Sequence, residues 1–262
     1  MNSPTPSLLP SAVLSTFRRA AEAVGDVLAG TTDWDVSGTR DGQYLVDLAA
    51  DEACLRVLYD AGFCVLSEES GFTGPDGADT EVGGEDVPVV VVDPLDGSTN
   101  ASRGVPWFAT ALCLVRERTP QVAMVANHAT RDVFTAVRGD GALRNGGPCR
   151  PTDVTDLGTA IVGASGWPSH DYGWAQYRAM GASAPDICNV ACGVLDAWCD
   201  VHDHHGVWDY LASVLIAEEA GCAVGEVAGR DLCVLDHRAR RGPAVAATPE
   251  LLAAVLAERR RT

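Results

Sequence analysis

The sequence predicts an α+β fold on three observations. Two stretches with helical apolar spacing open the chain. A run of four β-branched residues, Val89 to Val92, reads as a strand buried on both faces. Further strand-like segments follow, and then a second set of helices. The 262 residues are enough for one large domain or two intimate small ones, with ample core.

Leu8 to Leu28 sets Val13, Leu14, Phe17, Ala20, Ala21, Val24 and Leu28 at helical spacing, closed by Gly30. Asp33 to Gln43 is a polar, Gly-containing loop. A second helix runs from Tyr44 through Leu45, Leu48, Leu55 and Leu58 to Gly62. Asp47 and Asp51 lie one turn apart on it, and by themselves read as an exposed acidic face. Phe63 to Leu66 is a short strand leading into Ser67-Glu68-Glu69-Ser70-Gly71, and Gly71 to Asp86 reads as a surface excursion. The central strand is expected to stop at Pro94, which lacks a backbone donor, so that Asp93 and Asp96 leave the ladder together. Gly97 then permits a tight turn, and Ser98, Thr99 and Asn100 are residue types that start helices.

Phe108 to Val115, Val122 to Asn127 and Asp132 to Val137 read as strands, Gly139 to Ala142 as a turn, and Asp153 as the neighbourhood of a boundary. In the second half, Ala160 to Gly163 and Ala197 to Val201 are strand candidates, and Ser183 to Gly193 a helix. Trp167, Tyr172, Trp174 and Tyr177 concentrate aromatics in one stretch that reads as the edge of a core. His202 to Gly206 is a polar loop, and Trp208-Asp209 opens an amphipathic helix ended by Gly221. Asp209 has an ordinary capping explanation in that first turn. Pro249 to Arg261 is a terminal helix.

Composition narrows the chemistry. A formal charge of −17 argues against electrostatic binding of nucleic acid polymers or anionic membranes. All 19 basic residues are Arg, so a Lys Schiff base, a Walker-type P-loop and a kinase-type Lys are excluded. Metal ions, Arg and backbone amides remain to meet an anionic substrate. The nine Cys are odd in number and form no Cys-x-x-Cys, which fits reduced structural thiols. Cys188, Cys192 and Cys199 match no standard zinc spacing with the histidines that follow. No apolar run approaches the ~20 residues of a membrane span, and no signal segment opens the chain. A cytoplasmic protein is the expectation.

A buried strand that ends in two acids and a donor-rich turn suits a divalent cation and a phosphate. Ser67-Glu68-Glu69-Ser70, then Asp93-Pro94-Leu95-Asp96-Gly97-Ser98-Thr99-Asn100, then Trp208-Asp209 on a helix ending Glu219-Ala220-Gly221, resembles the inositol monophosphatase family over roughly residues 10 to 257. That family belongs to the magnesium-dependent, lithium-sensitive phosphomonoesterases. Gly141 to Gly146 and the Gly181 to Asp196 segment add minor matches. The resemblance implies an α+β / α/β layered sandwich of alternating α and β layers. Residues 1–152 would form an α+β half carrying the metal motifs, and 153–262 an α/β half completing the site.

The resemblance further implies two or three Mg2+ ions held by Glu68, Asp93, the Leu95 carbonyl, Asp96 and Asp209. Those oxygens are hard donors suited to magnesium. It assigns Glu68, Asp51 and Ser98 to the attacking water, and the Gly97 and Ser98 N–H groups to the phosphate. Asp96, Gly181, Ala182, Ser183, Asp200 and Asp209 fall on the substrate side. Asp200 stands where relatives usually carry Glu, Leu48 where they carry Thr, and Arg40 where an early-loop Lys is usual. None of these departures removes a metal ligand.

The reaction implied is hydrolysis of a small phosphate monoester by a metal-activated water, with no covalent intermediate. Histidinol phosphate, a sugar phosphate and a nucleoside mono- or bisphosphate stand beside inositol phosphate as substrates. A non-catalytic metal-binding relative is the alternative of another class. A haloacid-dehalogenase phosphatase needs its acids two positions apart, whereas Asp93 and Asp96 are three apart. Relatives are commonly homodimers.

Overall fold

The computed structural model describes residues 6–32, 34–38, 43–75 and 87–261. Arg40 and most of the Gly71 to Asp86 excursion lie outside them. The two opening helices are α1 (Pro10–Gly30) and α2 (Leu45–Asp60). They are followed by eight strands: β1 (Cys64–Ser67), β2 (Gly71–Thr73), β3 (Val89–Asp96), β4 (Ala109–Arg116), β5 (Thr119–Asn127), β6 (Val133–Val137), β7 (Gly141–Arg144) and β8 (Gly147–Pro148). A short helix, α3 (Ser98–Arg103), joins β3 to β4.

These strands form one sheet in the order β2-β1-β3-β4-β5-β6-β7-β8. Its β1 is parallel to β3, and every other neighbouring pair is antiparallel. The alternation of β3 explains its apolar run. Val90 and Val92 pack with Val13, Phe17, Leu55 and Leu58 of the opening helices. Val89 and Val91 face a second core containing Ile187, Leu211 and Leu215. Each such side chain, fully buried, contributes about 1.5–3 kcal/mol.

That second core belongs to α4 (Ser183–Ala191) and α5 (Val207–Ala220). Beyond them lies a five-stranded sheet of β9 (Ile161–Ser165), β10 (Gln176–Arg178), β11 (Ala197–Asp200), β12 (Ala223–Glu226) and β13 (Pro243–Ala246), in the order β10-β9-β11-β13-β12. Trp198 and Val245 point from it toward α4 and α5. Ala197, Cys199, Ala244 and Ala246 pack on the other face with Leu251 and Val255 of α6 (Pro249–Arg259). The layers alternate helix, sheet, helix, sheet, helix. No helix among the described residues is long and apolar enough to cross a membrane.

Several expectations need correction. The central strand does not end at Pro94; β3 runs on to Asp96 through a bulge in which Asp93 pairs with Ala111 and Asp96 with Ala109. The bulge places the proline where no donor is needed and re-aims the side chains around it. Gly71–Thr73 is a strand rather than the start of a loop, and the expected turn at Gly139 to Ala142 already contains the first residues of β7. Asp47 and Asp51 are buried, not exposed. β10, β12 and β13 have no counterpart in the sequence reading, being three or four residues long and poor in bulky β-branched side chains.

Candidate active site at the end of the central strand

The β3 bulge sets Asp93 and Asp96 on either side of it at the end of the strand, next to the place where β1 ends. β1 lies parallel to β3, with Ser67 beside Val92, so the next residue, Glu68, arrives at the same edge. Asp209 comes from the opposite layer, in the first turn of α5, where its Oδ2 accepts the Gly206 N–H at 2.7 Å. Its capping role and its place in the site are one geometry. One carboxylate oxygen each from Glu68, Asp93 and Asp209 lie within 4.8 Å of one another. Asp96 is adjacent, its Oδ2 accepting the Ala184 N–H at 2.6 Å.

Burial, followed by the charges of Glu68, Asp96 and Asp209, pushes the Asp93 carboxyl well above the usual carboxylate range. Asp96 is also raised, by burial first, although the Ala184 N–H pulls the other way. Burial likewise raises Asp209 against the opposing effect of His205. At such separations two carboxylate charges repel by roughly 3–4 kcal/mol at an effective dielectric constant of ~20. Protons or a multivalent cation must relieve that repulsion. The oxygen-only donor set fits a hard divalent ion such as magnesium.

Asp51 stands one step behind. Its Oδ1 accepts the Ser67 hydroxyl at 2.5 Å, and Ser67 immediately precedes Glu68. Burial raises its pKa, with the Ser67 and Ser70 hydroxyls acting in opposition. The Leu95 side chain is buried, and its N–H donates to Asp93 Oδ1 at 3.0 Å, which orients that carboxylate. Gly97 is the N-cap of α3 with φ +88°, and Ser98 is the first helical residue.

The Gly181 to Ser183 segment is docked on this turn. Asn100 Nδ2 donates to the Met180 carbonyl at 2.8 Å and to the Trp107 carbonyl at 2.8 Å. A Cβ on Gly97 would lie 3.0 Å from the Ala182 Cβ. Ser183 Oγ meets His205 Nε2 at 2.7 Å. Asp200, at the end of β11, is 1% exposed and accepts the backbone N–H groups of His202 and His204, each at 3.0 Å.

The family model described as "Inositol monophosphatase family" matches residues 11–262. The chain belongs to the inositol monophosphatase family. It is 30% identical over 219 residues to a fructose-1,6-bisphosphatase of Pyrococcus furiosus, covering 83% of each chain. It is 34% identical over 178 residues to inositol monophosphatase 2 of Solanum lycopersicum, covering 62% of this chain and 64% of that one. The extragenic suppressor protein suhB of Bartonella henselae shares the fold with a TM-score of 0.79 at 24% identity, over 95% of this chain and 99% of that one.

Sequence reasoning missed the groups that brace the acidic cluster of this inositol monophosphatase family member. His237 Nε2 donates to the Glu68 carbonyl at 2.9 Å, and its ring lies 4.7 Å from that of Trp208. Arg240 covers the Trp208 ring at 5.3 Å. The Thr110 hydroxyl bonds the Pro94 carbonyl at 2.8 Å and lies 2.8 Å from His128 Nε2. Gln43 reaches from the loop before α2 to Glu69. These residues stand in no recognisable spacing, and only the assembled layers bring them to the site.

The aromatic stretch divides. Tyr172 is buried in the core under α6, whereas Trp167 is 77% exposed, edge-on to Tyr177 at 6.4 Å. The Trp167 N–H donates to His202 Nε2 at 3.2 Å, which ties the stretch to the histidine loop.

Proposed function

We propose that the chain is a magnesium-dependent hydrolase of small phosphate monoesters. The convergence of Glu68, Asp93 and Asp209 within 4.8 Å, with Asp96 beside them, carries this reading. Glu68, Asp93, the Leu95 carbonyl, Asp96 and Asp209 would hold two or three Mg2+ ions. When bound, the ions lower the pKa of a water and neutralise charge on the phosphoryl oxygens. The protein's own part is to hold and orient. Asp51 fixes Ser67, and through it the start of the Glu68 turn. Glu68, Asp51 and Ser98 position the attacking water, and the Gly97 and Ser98 N–H groups receive the phosphate. Asp209 faces the leaving oxygen.

On the substrate side, Gly181, Ala182 and Ser183 present backbone to the leaving alcohol, with Asp96 and Asp209 at its reacting end. Asp200 is enclosed by its own loop. It therefore acts on substrate by setting His204 and His205 rather than by direct contact. Inositol phosphate, histidinol phosphate, a sugar phosphate and a nucleoside mono- or bisphosphate are the substrate classes to compare. The exposed Trp167 beside the histidine loop favours a ring-bearing alcohol. A cytoplasmic homodimer acting on small molecules, and not on membranes or nucleic acid polymers, completes the reading; the charge of −17 supports the last point.

The test is phosphate release from that panel with and without Mg2+. Magnesium-dependent turnover of at least one class is expected. Inactivity across the panel would leave a metal-binding protein without catalysis. Unchanged substrate ranking in Trp167→Ala would remove that residue from the substrate wall.

A further inference from the structure

A second group of potential ligands lies apart from the carboxylate cluster, on the loop between β11 and α5. Atoms of Asp200, His204 and His205 converge so that one donor from each lies within 4.8 Å of the others. His204 Nδ1 is 3.5 Å from Asp200 Oδ1, and His205 Nδ1 is 3.3 Å from Asp200 Oδ2. The two imidazole rings lie 4.9 Å apart, inclined by 42°.

His205 decides the matter. It is 6% exposed, and its Nδ1 lies 3.3 Å from Asp200 Oδ2, at ion-pair distance but outside strict hydrogen-bond geometry. One donor each from Asp200, His204 and His205 lies within 4.8 Å of the others, so this buried imidazole borders the space the three side chains share. Its other nitrogen is engaged, with Nε2 2.7 Å from the buried Ser183 hydroxyl. Histidine ligands to metals are oriented in this manner, by a hydrogen bond on the nitrogen that does not coordinate.

The carboxylate is held just as firmly. Backbone N–H groups of His202 and His204 fix both Asp200 oxygens, leaving further lone pairs directed at the imidazoles. His204 is the open side of the group, with its side chain 56% exposed. Two imidazole nitrogens, one carboxylate oxygen and a side open to water describe a three-ligand site with a vacant position.

We propose that Asp200, His204 and His205 bind a divalent transition-metal ion of the zinc class, distinct from the magnesium held by the carboxylates. Imidazole donors favour zinc over magnesium, whereas the oxygen-only cluster favours the reverse. The thiols are not part of it. Cys199 lies in the core under α6, and Cys188 packs among the side chains between the two sheets. Gly206 follows the ligands directly and donates to Asp209, so the ion would brace the loop that delivers Asp209 to the phosphatase site. The inference does not depend on the phosphatase reading, because binding is measured without turnover.

The experiment titrates the full-length protein with Zn2+ against a chromophoric chelator in excess Mg2+, and records the absorption of the Co2+-substituted protein. One Zn2+ per chain is expected. His204→Ala, at a side chain 56% exposed, should weaken binding at least roughly tenfold, and Ser183→Ala by about 10-fold or more through the freed imidazole. Asp93→Asn should still bind the ion. No stoichiometric binding would overturn the proposal. So would wild-type affinity in His204→Ala, a thiolate charge-transfer band in the Co2+ form, or loss of Zn2+ binding in a folded Asp93→Asn protein.

Discussion

Gly97→Ala tests whether the turn after the acids is held by steric contact with the 181–183 segment. Two costs are separable. The backbone at Gly97 has φ +88°, a left-handed conformation that costs a residue with a Cβ about 1–2 kcal/mol. The new Cβ would also lie 3.0 Å from the Ala182 Cβ, 3.0 Å from the Trp107 carbonyl oxygen and 3.4 Å from the Phe108 Cα. None of these is the far end of a flexible side chain, so relief requires backbone movement, at about 1–3 kcal/mol. Together they predict a loss of about 2–5 kcal/mol. Gly104 supplies the control: its φ is +72°, yet nothing lies within 4 Å of its Cβ position. Gly104→Ala should therefore pay only the first cost and leave turnover intact. Urea unfolding of both variants measures the stabilities. Steady-state kinetics should show Gly97→Ala raising KM for substrate, because Ala182 carries the segment whose next amide holds Asp96. If the two variants match within about 0.5 kcal/mol and turn over alike, the turn is not braced by Ala182 and the reasoning fails.

Three further outcomes follow from named contacts. Asp93→Asn should lower kcat/KM by roughly three orders of magnitude, at the upper end of what losing one charge-stabilising group costs. It should also raise the melting temperature of the metal-free protein, because a repelling charge is gone; retained activity, or an unaltered rise in melting temperature on adding Mg2+, would refute the ligand assignment. His237→Ala removes the hydrogen bond to the Glu68 carbonyl and the Trp208 contact, so the Mg2+ concentration for half-maximal activity should rise severalfold with a smaller change in kcat; an unmoved Mg2+ midpoint would show that Glu68 is held by other groups. Glu226 is buried, which opposes ionisation, but hydrogen bonds from Arg230 and from the Ala228 and Gly242 amides pull its pKa down to about 2. A carboxyl depressed below its unfolded value of about 4.5 stabilises the fold fully above that pH, and loses the contribution as pH falls toward 2. Allowing for the partly exposed Arg230, about 2–3 kcal/mol should separate wild type from Glu226→Gln at pH 7 and shrink below pH 4.5, as followed by urea unfolding; a pH-independent difference would refute it.

What could be read from the sequence was what is local. Val89 to Val92 announced a doubly buried strand, because alternation puts Val90 and Val92 on one core and Val89 and Val91 on the other. The acids at its end were legible for the same reason: each sits within a few residues of the strand or helix start that positions it. The Asp51 face was misread because a helix surface carries no mark of what packs on it. Only β1 arriving beside β3 brings Ser67 to its carboxylate. β12 and β13 were illegible in another way. Their residues are small, and their strand character comes from being trapped between α5 and α6 rather than from propensity.

The His202 to His205 stretch shows where such reading ends. In sequence it is a polar loop, and polarity alone places it in solvent. In the fold, β11 stops at Asp200, whose carboxylate folds the next four residues around itself through two backbone N–H groups. That turn sends His204 outward and His205 inward, so neighbours of the same type end 56% and 7% exposed as side chains. The inward one meets Ser183 on one nitrogen and the Asp200 carboxylate, at 3.3 Å, on the other. A loop selected only to be soluble has no need to bury an imidazole against a buried carboxylate. Ligand binding supplies such a need, and the zinc titration separates it from a buried ion pair: a pair needs no metal, whereas a site must lose its ion when His204 is removed.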